Sequence, residues 1–407
     1  MTREEKFLEK LFNKYYRSKG STIFAPSMIE KREFAFIFFG KEGMLRHVSY
    51  RSVEELKGFI STHTPKHVYY SSAYYKYPSM DSMDEKIWEG ADLVFDIDAD
   101  HIPTDCKEEH DFWICTSCNL SGKGTPPSKC PKCGNEKLDS LKWICNKCLD
   151  AAKSEVEKLL DILLDDLGFK EQEIKVFFSG HRGFHIHVES EYVRDLGQDA
   201  RREIIDYIEG RGLDIKLFRR GDVLDIGPDR SGWRKRLFQF LIEFLSEEED
   251  PLTLSNKVGI SKRSAERVIR VKEDLLKVIL SNPVEWRVIV RSLGERTFER
   301  IVNYVVNRNV PSIDERVTID TKRLIRLPGS LHGKTGFKVQ AVDFSNIWDF
   351  NPVEHACVFP DYEISLKLKR PVPSQIFGVT LDSKKERIKV PLYLAVYLLG
   401  NGGATLD

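Results

Sequence analysis

Seven of the eight cysteines in this 407-residue chain fall between Cys106 and Cys148. A secreted disulfide scaffold would scatter its cysteines, whereas C-x-x-C pairs packed into one segment point to metal ligation. Cys115-x-x-Cys118 and Cys130-x-x-Cys133 are separated by 11 residues rich in Gly, Pro, Ser and Lys. That is the spacing of a zinc ribbon, in which two tight knuckles bring four thiolates to a tetrahedral ion. Outside this pair lie Cys106, His110, Cys145 and Cys148, which offer a second, Cys₃His set. The two sets nest like brackets, and the inner ribbon reads as an insertion able to fold as its own unit. Four protein ligands leave no open position, so neither site is expected to be catalytic. Cys357 stands alone in an apolar setting and reads as a small buried hydrophobe.

Just before this segment, Leu93-Val94-Phe95-Asp96-Ile97-Asp98-Ala99-Asp100 alternates apolar and acidic residues, the period of a strand. Asp96 and Asp98 then share one face while Phe95 and Ile97 enter a core. Two carboxylates side by side on a rigid strand repel unless a cation or proton sits between them. Hard oxygen donors favour Mg²⁺ or Mn²⁺. The plain alternative is an acidic strand end running into a solvated loop.

Other elements follow from pattern. Residues 4–18 suggest an amphipathic helix ending near Gly20, and residues 32–39 a strand. Residues 53–60 read as a short helix and 67–72 as a strand continuing into the aromatic run 73–78. Those aromatics could line a groove, although packing is the ordinary role. Leucines at helical spacing over 151–167, closed by Gly168, predict a helix. Strands 174–178 and 184–188 flank Ser179-Gly180-His181-Arg182-Gly183. That turn, with His185 and His187 on one face, offers several donors to a phosphate. A hairpin with satisfied surface histidines is the competing reading.

Residues 199–309 are helical and charged, with basic clusters at 219–220 and 234–236. Residues 252–269 fit a helix-turn-helix, and a plain helical hairpin produces the same pattern. Residues 313–320 read as a strand. Pro328 to Gly336 mixes turn residues with His332 and Lys334 and suits phosphate contact, although its glycine spacing is not that of a Walker A loop. Residues 337–368 read as further strands and 390–400 as a packed helix.

Lys plus Arg equals Asp plus Glu at 63 each, which removes the field that drives strong non-specific nucleic-acid binding. Any such binding must use local patches or a partner. With 41% apolar and 31% charged residues, no long apolar run and no apolar leader, the expectation is a cytosolic globular protein without a membrane span.

Four of these stretches, in this order, resemble the small catalytic subunit of the archaeal and eukaryotic type of DNA primase. They are residues 32–36, residues 93–98, Ser179 to His185, and Asp314 through Arg326 to His332. The resemblance implies a two-metal nucleotidyl transferase in which Asp96, Asp98 and Asp314 hold Mg²⁺ or Mn²⁺, with Asp320 as the fallback third carboxylate. It implies that Ser179, His181, Arg182, His185, Arg326 and His332 grip the incoming triphosphate and that Arg32 makes a further nucleotide contact. Eukaryotic members carry Arg where this chain has His181. The family's zinc site fits Cys106, His110, Cys145 and Cys148. Implied partners are a primase large subunit carrying an iron–sulfur domain, a single-stranded DNA template, and NTPs or dNTPs.

The implied fold class is α+β: a mixed-sheet catalytic core of the primase type, a zinc-ribbon insertion and a mostly helical subdomain. Core segments are expected at 1–105, 149–205 and 310–407, the zinc-binding segment at 106–148 and the helical subdomain at 206–309. Two other readings stand beside it. One is an aspartate-based phosphatase, whose nucleophile strand also carries D-x-D. The other is a non-enzymatic zinc-ribbon nucleic-acid binder.

Overall fold

A computed structural model describes residues 1–18, 22–247, 250–382 and 385–407. The chain is a mixture of helices and several small sheets, in two units. The first gathers residues 1–156, 171–201 and 312–407, and the second residues 157–170 and 202–311.

Two four-stranded antiparallel sheets organise the first unit. One orders Leu324–Arg326, Pro65–Ser71, Phe34–Phe38 and Leu45–Val48; the other orders Gln340–Val342, Ile174–Phe178, Gly183–Val188 and Leu93–Asp98. Period-two alternation gives the second sheet its core face: Phe95, Ile97, Phe178, Phe184, Ile186 and Val188 are all fully buried. The helix Arg3–Arg17 starts in a capping box between Thr2 and Glu5 and buries Leu8, Phe12, Tyr15 and Tyr16. Its expected end at Gly20 lies outside the described residues. The helix Leu392–Gly400 is apolar on every side and correspondingly buried from Leu394 to Leu399.

Several expectations are corrected. Residues 313–320 are not a strand: Glu315–Ile319 is a short helix with Asp314 as its N-cap, the carboxylate accepting the Arg316 N–H. Asp before an acidic first turn is a helix start, and this outweighs the alternation of Val317 and Ile319. The aromatic run takes its ordinary packing role at Tyr74 and Tyr75, which are buried in a small hairpin with Trp88–Ala91. Cys357 is half-buried rather than enclosed. Between the strands of 340–342 and 363–368, Phe344–Asp349 and Pro352–His355 are short helical turns.

The second unit packs the helices Trp233–Ser246, Pro251–Val258, Lys262–Leu280, Trp286–Leu293 and Glu295–Asn309 around one apolar cluster. Pro251–Val258 and Lys262–Leu280 meet at Gly259, whose φ of +69° permits the left-handed turn. Leu254, Val258, Ala265 and Val268 all enter the core, as in a helical hairpin. The basic clusters are largely neutralised internally: Arg220 and Arg234 approach Asp225, Lys235 approaches Asp165, and Arg236 pairs with Asp166. Gly168, at φ +70°, follows the helical stretch Asn146–Asp161 and the π turn Ile162–Asp166. Among the described residues, no helix is long and apolar enough to cross a membrane.

Candidate active site

Strand register puts the site together. Gly183 pairs with Asp98 and His185 with Asp96, so both carboxylates share a face with the histidine ring. Gly183 is required there, because a Cβ would stand 2.2 Å from the Ile97 carbonyl oxygen. His185 Nε2 lies 3.6 Å from Asp96 Oδ1. Asp98 Oδ1 accepts the Asp100 N–H at 2.9 Å, which turns the chain away from the strand end. Asp314 donates its backbone N–H to the Asp96 carbonyl at 2.9 Å and so brings a third carboxylate alongside. Asp320 instead caps the Lys322 N–H and lies toward Tyr75 and Arg201.

This juxtaposition is costly without a cation. Burial, then the neighbouring charges of Asp98 and Asp314, push Asp96 up to about 7. Burial and Asp100 raise Asp98 as well. The two carboxyls therefore resist carrying their charges side by side.

A cleft of about 600 Å³ opens over these strands. It brings Asp96 and Asp98 together with Ser179, His181, His185, Arg326 and His332, all selected from sequence. The imidazoles are neutral: burial holds His67 and His181 down to about 3, and His185 and His332 well below their ordinary range. They serve as hydrogen-bonding groups, not charges. His332 stands edge-on to His67 at 5.0 Å and tilted against His181 at 5.3 Å. Gly180 allows this, since a Cβ there would meet His332 Cβ at 2.8 Å. Arg326 leans over the Tyr69 ring, and its Nε is buried without a hydrogen-bond partner. An unused guanidinium donor facing a polar cleft suits an anionic ligand.

Two expected nucleotide residues lie elsewhere. Arg32 is fully buried; its Nη2 lies 2.6 Å from Asp92 Oδ2, and its other donors bind Ser27 and the Ser71 and Ser72 carbonyls. Arg182 is likewise buried, its donors spent on Asp100, Asp111 and the Trp143 carbonyl. Both guanidiniums fasten the core, and neither lines the cleft. Lys334, from the run read as suited to phosphate contact, lines it too, and sequence reading passed over His67, Tyr69, Asp100, Lys142 and Arg370, which also line it. Lys142, a single lysine between Leu141 and Trp143, carried no signal.

Both cysteine sets come together. Within each set, the four candidate ligand atoms lie within 4.8 Å of one another. In the outer set Cys106 Sγ is 3.5 Å from Cys148 Sγ and 3.6 Å from Cys145 Sγ. In the inner set the Cys115–Cys133 and Cys118–Cys130 pairs stand at 3.5 and 3.6 Å. Zinc–sulfur bonds of about 2.3 Å in a tetrahedron require sulfur separations of about 3.8 Å, so both sets fit. His110 turns Nε2 to Cys148 at 3.3 Å while Nδ1 meets Asp111 Oδ1 at 2.8 Å. A carboxylate behind a ligating histidine fixes its tautomer and aim. The inner ribbon is not a detached appendage: Asp139 to Trp143, its exit segment, line the cleft.

Residues 134–342 match the family model described as DNA primase small subunit. The chain is 35% identical to the DNA primase small subunit PriS of Methanococcoides burtonii, covering 98% of this chain and 97% of that protein. It is 33% identical to PriS of Thermoplasma volcanium, with 98% and 97% covered, and 34% identical to PriS of Picrophilus torridus, with 96% and 95% covered.

Proposed function

The chain belongs to the DNA primase small subunit family, and on that premise we propose that it synthesises short primers on single-stranded DNA by two-metal nucleotidyl transfer. One observation carries the reading: three carboxylates crowd one strand end beneath a cleft that also holds neutral histidines and a guanidinium with an unused donor.

In this reading Asp96, Asp98 and Asp314 hold Mg²⁺ or Mn²⁺. Two such ions, when bound, acidify the attacking 3′-hydroxyl and stabilise the departing pyrophosphate. Asp96 must release its proton before a cation enters, so metal affinity rises with pH through about 7. Arg326 and Lys334 neutralise the triphosphate, while Ser179, His181, His185 and His332 orient it through hydrogen bonds. Uncharged imidazoles have a specific merit here: they do not form ion pairs with the carboxylates and leave those free for metal. The two cysteine sets hold structural zinc. The balanced net charge gives weak template affinity alone, which fits a heterodimer whose large subunit assists initiation and carries an iron–sulfur domain.

The test is direct. Purified chain with Mg²⁺ or Mn²⁺, NTPs or dNTPs and single-stranded DNA should yield oligomers whose sequence follows the template. Phosphate released from simple phosphoesters without oligomers would instead support an aspartate-based phosphatase.

A further inference from the structure

The exit strand of the inner ribbon, Leu138–Leu141, pairs with Phe112–Cys115 in a three-stranded sheet. Cys115, an inner-set residue, is the register partner of Leu138. Four residues beyond the strand comes Cys145 of the outer set. The segment Leu138–Trp143 is therefore strung between the two cysteine sites, fixed near each end. Along that span Asp139, Ser140, Lys142 and Trp143 border the same cleft as Asp96 and Asp98.

Lys142 is the chemically active part of this wall. Its Nζ pairs with one oxygen of Asp100, whose other oxygen is held by Arg182. The Asp100 N–H in turn binds Asp98 Oδ1. The ammonium thus stands one carboxylate away from a metal-binding aspartate, and its side chain remains 43% exposed. Asp100 keeps the buried Arg182 whether or not Lys142 stays. Only the lysine end of this pair lies open to solvent, Asp100 being 16% exposed and held by Arg182 as well. An ammonium on a phosphate makes a strong charge-assisted contact. Trp143 adds an indole Nε1 that is buried without a hydrogen-bond partner.

We propose that the segment Leu138–Trp143 is a wall of the nucleotide site, and that Lys142 swings from Asp100 to the triphosphate of the incoming nucleotide. The inner ribbon then has a role, which is to hold the far end of that wall. This inference rests on the reading of the cleft as a nucleoside triphosphate site.

The experiment measures nucleotide KM, kcat and equilibrium binding of a fluorescent NTP to a complex whose primer lacks its 3′-hydroxyl. Lys142→Ala should raise KM and the dissociation constant about tenfold, the loss of one charge-assisted contact. Lys142→Arg should recover most of the affinity, and Lys129→Ala, in the exposed ribbon pair with Glu136, should change nothing. Replacing residues 116–134 by a short Gly-Ser link should leave one zinc per chain and also raise KM. Unchanged binding in Lys142→Ala would overturn the proposal. So would an effect of Lys142→Ala that disappears in an Asp100→Asn background, because Lys142 would then act only through Asp100. Asp98→Ala separates the two levels: if it stays active the reading of the cleft fails, and if it is dead while Lys142→Ala behaves as wild type, this inference alone fails.

Discussion

Arg182 holds Asp111 by both carboxylate oxygens, with Nη1 3.2 Å from each and Nη2 3.1 Å from Oδ2. Asp111 is also the carboxylate behind His110, and Arg182 also binds Asp100. An unbroken path runs from the outer cysteine site through His110, Asp111, Arg182 and Asp100 to Asp98. Burial alone would raise Asp111, yet His110 and Arg182 hold it below the ordinary carboxylate range.

Arg182→Ala should therefore act on stability first. Removing it leaves Asp100 with Lys142 alone and Asp111 with His110 and the Trp143 N–H, so both largely buried carboxylates are under-compensated, at a cost of about 3 kcal/mol. Thermal unfolding should show a lower Tm, and metal analysis should show partial loss of zinc. A stable, zinc-replete variant with a raised nucleotide KM would return Arg182 to the triphosphate.

Asp98→Ala should abolish synthesis while leaving the fold intact. The substitution relieves the repulsion that raises Asp96, and it gives up one hydrogen bond from Asp100, worth about 1 kcal/mol. Metal-free stability should thus hold or rise, and Mn²⁺ binding should weaken sharply. Unchanged primer synthesis would remove the carboxylates from the reaction.

Arg326→Ala and His332→Ala should raise nucleotide KM and lower turnover. Arg326 Nε has no hydrogen-bond partner among the described residues, so loss of this side chain should appear in ligand binding, at about 2 kcal/mol for a charged contact. Template affinity should hold. The reverse pattern, weaker DNA binding at constant KM, would place Arg326 on the template track.

Much of this arrangement is legible in the chain, for local reasons. Asp96 and Asp98 declare themselves by alternation with Phe95 and Ile97, and the nested cysteines by spacing. Asp314 stood out only through the family resemblance, and its short helix was hidden because five residues cannot separate a period of two from a single turn. The burial of Arg32 and Arg182 was not legible, since their carboxylates lie 60 and 71 residues away in the chain. An arginine beside a glycine turn looks like an anion contact until its partner is known.

Acid should destabilise the protein through its buried imidazoles. Burial lowers His187 to about 3, and its Nδ1 meets the Tyr70 hydroxyl at 3.1 Å. The unfolded chain takes up this proton near 6.5 while the folded chain does not, so the unfolded state binds more protons between about 3 and 6.5. Stability then rises with pH across that window and levels off above it. His187→Gln should shrink the difference in unfolding free energy between pH 5 and pH 7 by about 2 kcal/mol. Urea titrations at the two pH values decide it; an unchanged difference would mean that His187 protonates equally in both states.

The two cysteine sites should differ in what they support. Elemental analysis should find two zinc ions per chain; one or none would refute the nested arrangement. The outer set joins the path that ends at Asp98, and Cys106 and Cys148 are buried beside Ala99. Binding energies of structural zinc, about 10–16 kcal/mol in small zinc domains, rival the whole stability of a typical domain, about 5–15 kcal/mol. Replacing Cys145 and Cys148 by serine should thus collapse the cooperative unfolding of the first unit. Replacing Cys118 and Cys133, which are half-buried and exposed, should cost one zinc and only local order. Calorimetry with parallel zinc counts separates the two: a lower Tm from the inner variant as large as that from the outer would show that the ribbon also holds the core.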